Sequence, residues 1–193
     1  MKQGKKWDLV VVGGGHAGIE AALIASRLNI STLLVTMDPK AIGRMSCNPS
    51  IGGLAKGQMV REIDVLGGSM GRFADLSGIQ FKVLNKSKGR SVWSPRAQVD
   101  KRQYEQLVLN SIKKSNVDVL AGEVLSIKTK NNKISHLVLR DGETIRCRAS
   151  VITCGTFLSG TIHIGDRKIL AGRMGEERSQ GLTESLCSLG FQS

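Results

Sequence analysis

Aromatic side chains are scarce in this chain: Phe, Trp and Tyr make up only 4% of its 193 residues, so the core must be aliphatic. Acidic residues are also in short supply. Sixteen Asp and Glu face 28 Lys and Arg, leaving a formal net charge of +12. Such a surface is either a solvated basic coat or the face of a polyanionic partner, RNA first. Anionic lipid fits less well, because no strongly basic amphipathic helix stands out. There is no run of about 18 apolar residues, so no transmembrane helix and no membrane partner is expected. The basic start, Met1-Lys2-Gln3-Gly4-Lys5-Lys6, leads into a short strand and glycines, not a secretory leader. Cys47, Cys147, Cys154 and Cys187 form no C-x-x-C pair, which argues against zinc and thioredoxin-like chemistry. Reduced thiols in a cytoplasmic protein, with no metal site, are the expectation.

With 40% hydrophobic and 23% charged residues the chain reads as globular. Leu9 to Val12 is a β-branched apolar run ending at Gly13, the pattern of a buried parallel strand. From Gly15 to about Leu28 the period becomes helical, and residues 31–36 read as a second strand. Residues 37–57 read as irregular. Helices are predicted from about Gln58 to Leu66 and from about Gln98 to Lys114, with a short strand over 80–85 and a buried strand over 117–121. The period then changes to short strands over 123–130, 133–140 and 144–148. Asn131-Asn132 and Asp141-Gly142 both suit two-residue hairpin turns. A separate parallel strand is expected over 150–153, and residues 172–193 read as helix-like and polar.

This order predicts an α/β fold. It is an FAD-binding Rossmann-like domain of the glutathione-reductase type, whose crossover is an antiparallel β-meander at residues 123–148. Nothing in the chain would complete such an enzyme, so residues 1–193 are expected to be the N-terminal part of an FAD-binding domain in a longer protein.

Gly13-x-Gly15-x-x-Gly18 follows a strand and opens a helix, the context this fingerprint requires. The first glycine permits a tight turn, the second lets backbone approach a pyrophosphate, and the third lets helix and strand pack closely. The helix N-terminus adds partial positive charge where phosphates sit. His16 lies within the loop, where that positive end favours a neutral spacer over an acid–base group. The acid usually found at the end of the second strand is missing. Thr36 stands there, with Asp38 two residues on, and either a ribose contact or a simple strand end fits.

Cys47 sits in the loop Met45-Ser46-Cys47-Asn48-Pro49-Ser50-Ile51-Gly52-Gly53. It is either a small buried apolar residue or a thiol poised over the ligand end of the sheet. The segment from Lys82 to Arg102 carries Lys82, Lys86, Lys88, Arg90, Arg96, Lys101 and Arg102 around Trp93, with Asp100 opposing. Basic residues with an interleaved aromatic suit an RNA surface, and equally a solvated loop. Lys86, Lys88, Arg90, Arg96, Lys101 and Arg102 are the RNA-binding candidates. Asn85 and His163 are polar residues that spacing does not assign.

With these residues in view, the chain resembles the glucose-inhibited division protein A family, the flavoprotein subunit of an enzyme that modifies tRNA wobble uridine. The resemblance is carried by residues 13–22, 45–53, 78–81 with 84–89, Arg96-Ala97-Gln98 with Asp100, and residues 155–165. It implies addition of a carboxymethylaminomethyl or aminomethyl group at C5 of the wobble uridine. It also implies FAD as cofactor, NADH and methylenetetrahydrofolate as co-substrates, a GTPase partner, a homodimer and tRNA as substrate. Carried onto this sequence, the FAD contacts would be Gly13, Gly14, Gly15, His16, Ala17, Gly18 and Thr36, a backbone contact near Val124, and Ser179. Cys47 would be the catalytic cysteine over the flavin. The folate-dependent tRNA uridine methyltransferase family has a similar architecture, but Thr36 and the Cys47 loop separate this chain from it. Two further readings remain: an FAD/NADH oxidoreductase acting on a small metabolite, and a non-catalytic fragment.

Overall fold

The computed structural model describes residues 5–45, 48–172 and 178–192. In chain order the strands are β1 (Lys6–Val12), β2 (Thr32–Thr36), β3 (Ser50–Gly52), β4 (Gly78–Leu84), β5 (Ser94–Val99), β6 (Val117–Ala121), β7 (Val124–Lys130), β8 (Lys133–Leu139), β9 (Thr144–Ile152), β10 (Ile162–Ile164) and β11 (Arg167–Ile169). The helices are α1 (His16–Arg27), α2 (Lys56–Val65), α3 (Met70–Leu76), α4 (Lys101–Lys114) and α5 (Leu182–Ser188).

The main sheet has the order β6-β2-β1-β9-β8-β7, with β6, β2, β1 and β9 parallel and β8 and β7 antiparallel. This is the Rossmann-like α/β fold with a meander crossover that the sequence predicts. The pleat sends alternate β1 residues to opposite faces. Val11 joins Ile19, Leu34, Tyr104 and Val108 in one core beneath α1 and α4. Val10 and Val12 join Leu33, Val35, Leu137, Ile145 and Leu182 in the other. Every residue of β2 is buried, as its unbroken apolar pattern requires of a strand covered on both faces.

Several boundaries are corrected. The meander does not stop at residue 148, and 150–153 is not a separate strand. β9 runs continuously from Thr144 to Ile152 because it serves two neighbours at once. Arg146 pairs antiparallel with His136 on β8 and parallel with Lys6 on β1. Only one of the two hairpins has a two-residue turn. Asn131 and Asn132 both take positive φ, 53° and 56°, between the paired Lys130 and Lys133. At the second, the N–H of Gly142 (φ 86°) donates to the Leu139 carbonyl at 3.0 Å, and Leu139 donates to the Glu143 carbonyl at 2.9 Å. Three residues therefore form that loop, with the glycine in the left-handed position.

Gln98 and Val99 belong to β5. The following helix starts at Lys101, where the Asp100 carboxylate caps it by accepting from the Gln103 N–H at 2.8 Å. The segment read as irregular contains β3, which pairs with β5 to make a second sheet, β3-β5-β4. β3 is only three residues long and α3 only seven, too short for a periodic signal. Residues 162–164 and 167–169 form a small hairpin, and helix near the end is confined to α5.

Candidate functional site

The parallel strands β1, β2 and β9 end at one place, and the glycine loop crosses it. The N–H of Gly13 donates to the Val35 carbonyl at 2.8 Å. Its φ is 110°, and a Cβ there would meet the Thr153 carbonyl oxygen at 2.5 Å. A Cβ on Gly18 would lie 1.9 Å from the Gly13 carbonyl oxygen, so α1 packs against the loop only because residue 18 is glycine. Gly15 is different. A Cβ there would meet nothing within 4 Å and would project into open space. Gly15 is also the N-cap of α1, and no side chain caps the helix. The first-turn N–H groups of this 12-residue helix therefore lack intrahelical partners and face the opening left by Gly15.

That opening is a cavity of about 370 Å³. Gly13 through Ala17, Thr36, Val124 and Ser179 all line it, so strands distant in sequence bring these predicted cofactor residues together. Gly18 does not line it but lies beneath, holding the helix close. An uncapped helix N-terminus over a Cβ-free cradle fits the pyrophosphate of a dinucleotide such as FAD. Thr36 is buried, with its hydroxyl against Gly14. Asp38 also borders the cavity, but its carboxylate accepts from the Lys40 N–H at 2.8 Å and pairs with Arg44 at 3.4 Å. His16 sets its ring edge-on to Tyr104, with Nδ1 3.5 Å from the tyrosine hydroxyl. Burial, then the nearby Glu20 carboxylate, raise the Tyr104 phenol above its ordinary range, so it stays protonated.

Among the cavity residues that escaped the sequence reading, two carry an acidic group. Glu123, immediately before Val124, has a side chain only 14% exposed. Arg140 forks onto it through Nε and, at 3.0 Å, Nη2; the Gln180 N–H donates to it at 3.1 Å. These bonds, Arg140 first, outweigh burial and hold its carboxyl below the ordinary value, with Ser179 contributing a further hydrogen bond. The cavity thus has a half-buried acid, supplied by the meander and not by β2. The available signal was an acid directly after Gly122, at the point where the period changes. The second is Cys154, a half-buried free thiol pushed up to about 11 by burial and then by Glu123.

The basic candidates do not form one stripe. Lys86, Lys88 and Arg90 lie in two short 3-10 turns between β4 and β5, with Arg90 5.8 Å over the Trp93 ring. Lys101 and Arg102 begin α4, beyond the other end of β5. At about 3.3 Å per residue the strand separates the two groups by roughly 20 Å. Arg96 lies between them on β5 and donates to Asn48 Oδ1 at 3.3 Å. Asn85 takes φ 60° and donates to the Val92 carbonyl at 3.3 Å, a turn role, and His163 is exposed on β10. Cys47 lies outside the described residues. Among the described residues, no helix is long and apolar enough to cross a membrane.

A family model described as glucose inhibited division protein A matches residues 8–193. The chain is 49% identical over 187 residues to the tRNA uridine 5-carboxymethylaminomethyl modification enzyme MnmG of Chlorobaculum tepidum, covering 96% of this chain and 30% of that protein. It is 50% identical over 190 residues to the MnmG of a Sulfurihydrogenibium species, covering 97% and 31%. A crystal structure of Aquifex aeolicus GidA superposes with a TM-score of 0.90 at 47% identity, covering 97% of this chain and 31% of that one. The GidA-related protein of Thermus thermophilus shares the fold, with a TM-score of 0.68 at 16% identity over 96% of this chain and 69% of that one. The chain therefore spans about 30% of the length of the curated relatives it matches.

Proposed function

The chain belongs to the glucose-inhibited division protein A family, and from that premise we propose that it is the FAD-binding part of an enzyme modifying C5 of the wobble uridine in tRNA. The observation that carries this reading is the cavity at the strand ends, where Gly15 and the uncapped N-terminus of α1 leave room for a pyrophosphate. Gly13 to Ala17 would hold the phosphates, with Gly18 setting the helix in place. Thr36 would meet the ribose, and the Val124 backbone with Ser179 would border the adenosine end. When bound, FAD would supply the redox chemistry of a one-carbon transfer. Cys47 would serve as the cysteine beside the flavin.

The relatives named tRNA uridine 5-carboxymethylaminomethyl modification enzyme support tRNA as the substrate, and the +12 charge supports a polyanionic partner. NADH as reductant, methylenetetrahydrofolate as carbon donor, a GTPase partner, a homodimer and a cytoplasmic location complete the proposal. The NADH site and the rest of the flavin pocket would lie outside these 193 residues, which alone would have little or no activity.

The test is twofold. Purified protein should retain flavin absorbance after desalting and should retard tRNA in a low-salt gel. Flavin-coupled NADH turnover by a small acceptor, with no tRNA retardation, overturns the tRNA reading in favour of a metabolite oxidoreductase. Absence of flavin after reconstitution overturns the cofactor assignment.

A further inference from the structure

The sheet β3-β5-β4 packs through one face only. Ile51 and Ala97 belong to the main core with Met70 and Phe73, from the α3 side. On β5 and β4 the intervening residues Arg96, Gln98, Gln80 and Lys82 point to the other face by the pleat. Lys82 and Arg96 are direct cross-strand partners, as are Gln80 and Gln98. Directly opposed residues set their Cβ atoms roughly 5 Å apart, and like charges in that arrangement are destabilising. A third cation stands close by. Lys56, in the first turn of α2, donates to the Ser50 carbonyl on β3 at 3.2 Å. Burial, and then the Arg96 guanidinium, push its ammonium below the ordinary value.

Four cations elsewhere have acid partners: Lys5 pairs with Asp118, Arg44 with Asp38, Arg140 with Glu123 and Arg148 with Asp8. Among the described residues, no ion pair joins Lys56, Lys82 or Arg96 to a carboxylate. Their hydrogen bonds go instead to the Ser50 carbonyl and to Asn48 Oδ1, leaving further N–H groups unspent. Lys82 and Arg96 on the open sheet face, beside neutral Gln80 and Gln98, and Lys56 from the adjoining α2 make three mutually repelling cations, complementary to a multiply charged anion. Asp64 and Asp75 line the same groove as Lys82 and Arg96 but pair with neither. Asn48, held by Arg96, is the neighbour in sequence of Cys47.

We propose that Lys56, Lys82 and Arg96 form a phosphate-binding subsite that seats successive backbone phosphodiesters of the RNA strand beside the loop carrying Cys47. This rests on the tRNA reading and adds to it a place and a set of residues. An open face suits a phosphate in a chain, which runs on past it at both ends. A free phosphate would need to be enclosed.

The experiment measures tRNA affinity of flavin-loaded protein across a salt series. The variants are Lys82→Gln alone and Lys56→Gln, Lys82→Gln and Arg96→Gln combined. A charge-matched control replaces Lys113, Lys114 and Lys130 with Gln. Each lost single-strand phosphate contact should flatten the plot of log affinity against log salt by about 0.7. Lys82→Gln should show about that change, the triple variant a change of roughly 2 with at least a tenfold loss of affinity at low salt, and the control no change of slope. Lys82 sits on an exposed edge strand, so its single variant should fold and keep its flavin. Unchanged slopes in both site variants, with wild type binding tRNA, overturn the subsite and leave the tRNA reading standing. Equal loss in the control overturns it as a mere net-charge effect. Inorganic phosphate protecting Lys82 from acylation as well as tRNA does would assign the site to free phosphate instead. Failure of the wild type to bind tRNA sinks the tRNA reading itself.

Discussion

The cavity proposed for FAD and the open face of β3-β5-β4 are both proposed sites for anions, but they are built on opposite principles. The cavity would bind through absences: no Cβ at Gly15, no side chain capping α1, no acid at the end of β2. Its neutral backbone donors are fixed by strands buried on both faces. The open face holds its charges on flexible side chains over a sheet packed on one side only. Backbone donors tolerate almost no substitution, because the positions of main-chain atoms are at stake. Side-chain cations can be exchanged without disturbing the fold.

The glycines give the sharpest contrast and the largest expected effects. Gly18→Ala puts a Cβ 1.9 Å from the Gly13 carbonyl oxygen, so helix and strand must separate. Destabilisation of about 3 kcal/mol or more is expected by overpacking at a backbone contact, measured by denaturant unfolding. Gly15→Ala meets no atom within 4 Å, and residue 15 has an ordinary φ of −76°. It should unfold like wild type yet bind FAD at least about tenfold more weakly, because its methyl occupies the phosphate cradle. If the alanine at 15 left flavin binding untouched, the cavity would not be a pyrophosphate site.

Cys154 reports on the same cavity from inside. With its thiol pushed up to about 11, only about a thousandth is thiolate at pH 8. Alkylation of the apoprotein, mapped by mass spectrometry, should be about a hundredfold slower at Cys154 than at the exposed Cys187. The rate at Cys154 should rise with pH past 9 and fall when FAD fills the cavity. Rapid labelling at neutral pH would mean that the cavity wall is open.

Glu123 is expected to have a smaller effect. Its folded-state pKa is depressed, chiefly by Arg140. It therefore stabilises the fold above its unfolded value, near 4.3, and that contribution vanishes as pH falls through the lowered value. Glu123→Gln should cost about 1 kcal/mol at pH 7, as for a charge-assisted hydrogen bond weakened by solvent screening. The gap from wild type should narrow as pH falls below the unfolded value and close as it passes through the lowered one. A gap that did not narrow with falling pH would show a packing effect rather than a charge.

The two regions were also unequally legible in the sequence. Gly13, Gly15 and Gly18 announce themselves because a tight turn, a phosphate and a helix contact each forbid a side chain at fixed spacing. Val124 and Ser179 needed the family resemblance, since a residue bordering a cavity leaves no periodic trace. Glu123 looked like any strand-end acid until Arg140, 17 residues on, was seen to fork onto it. The basic segment suited an RNA surface or a solvated loop equally, because adjacency in sequence does not give adjacency in space; β5 sets Lys86 and Lys101 apart. Lys56 was invisible for the converse reason. It meets Arg96 only because the three-residue β3, too short to predict, pairs with β5.

The smallest effect belongs to cations that already have partners, and it tests whether partnership is what separates the two kinds of basic residue. Arg148 donates to Asp8 at 3.0 Å, with the side chains 70% and 43% exposed. Solvent screens such a pair, and holding two long side chains together opposes its modest attraction. Arg148→Gln should change stability by less than about 0.5 kcal/mol in denaturant unfolding. Its more telling readout is tRNA binding. A guanidinium already neutralised by a carboxylate has little charge to offer a phosphate, so its loss should leave the salt slope where it was, unlike the loss of Lys82. If Arg148→Gln flattened the slope as much as Lys82→Gln, all basic residues would count alike, and the open face would be no more than a share of the +12.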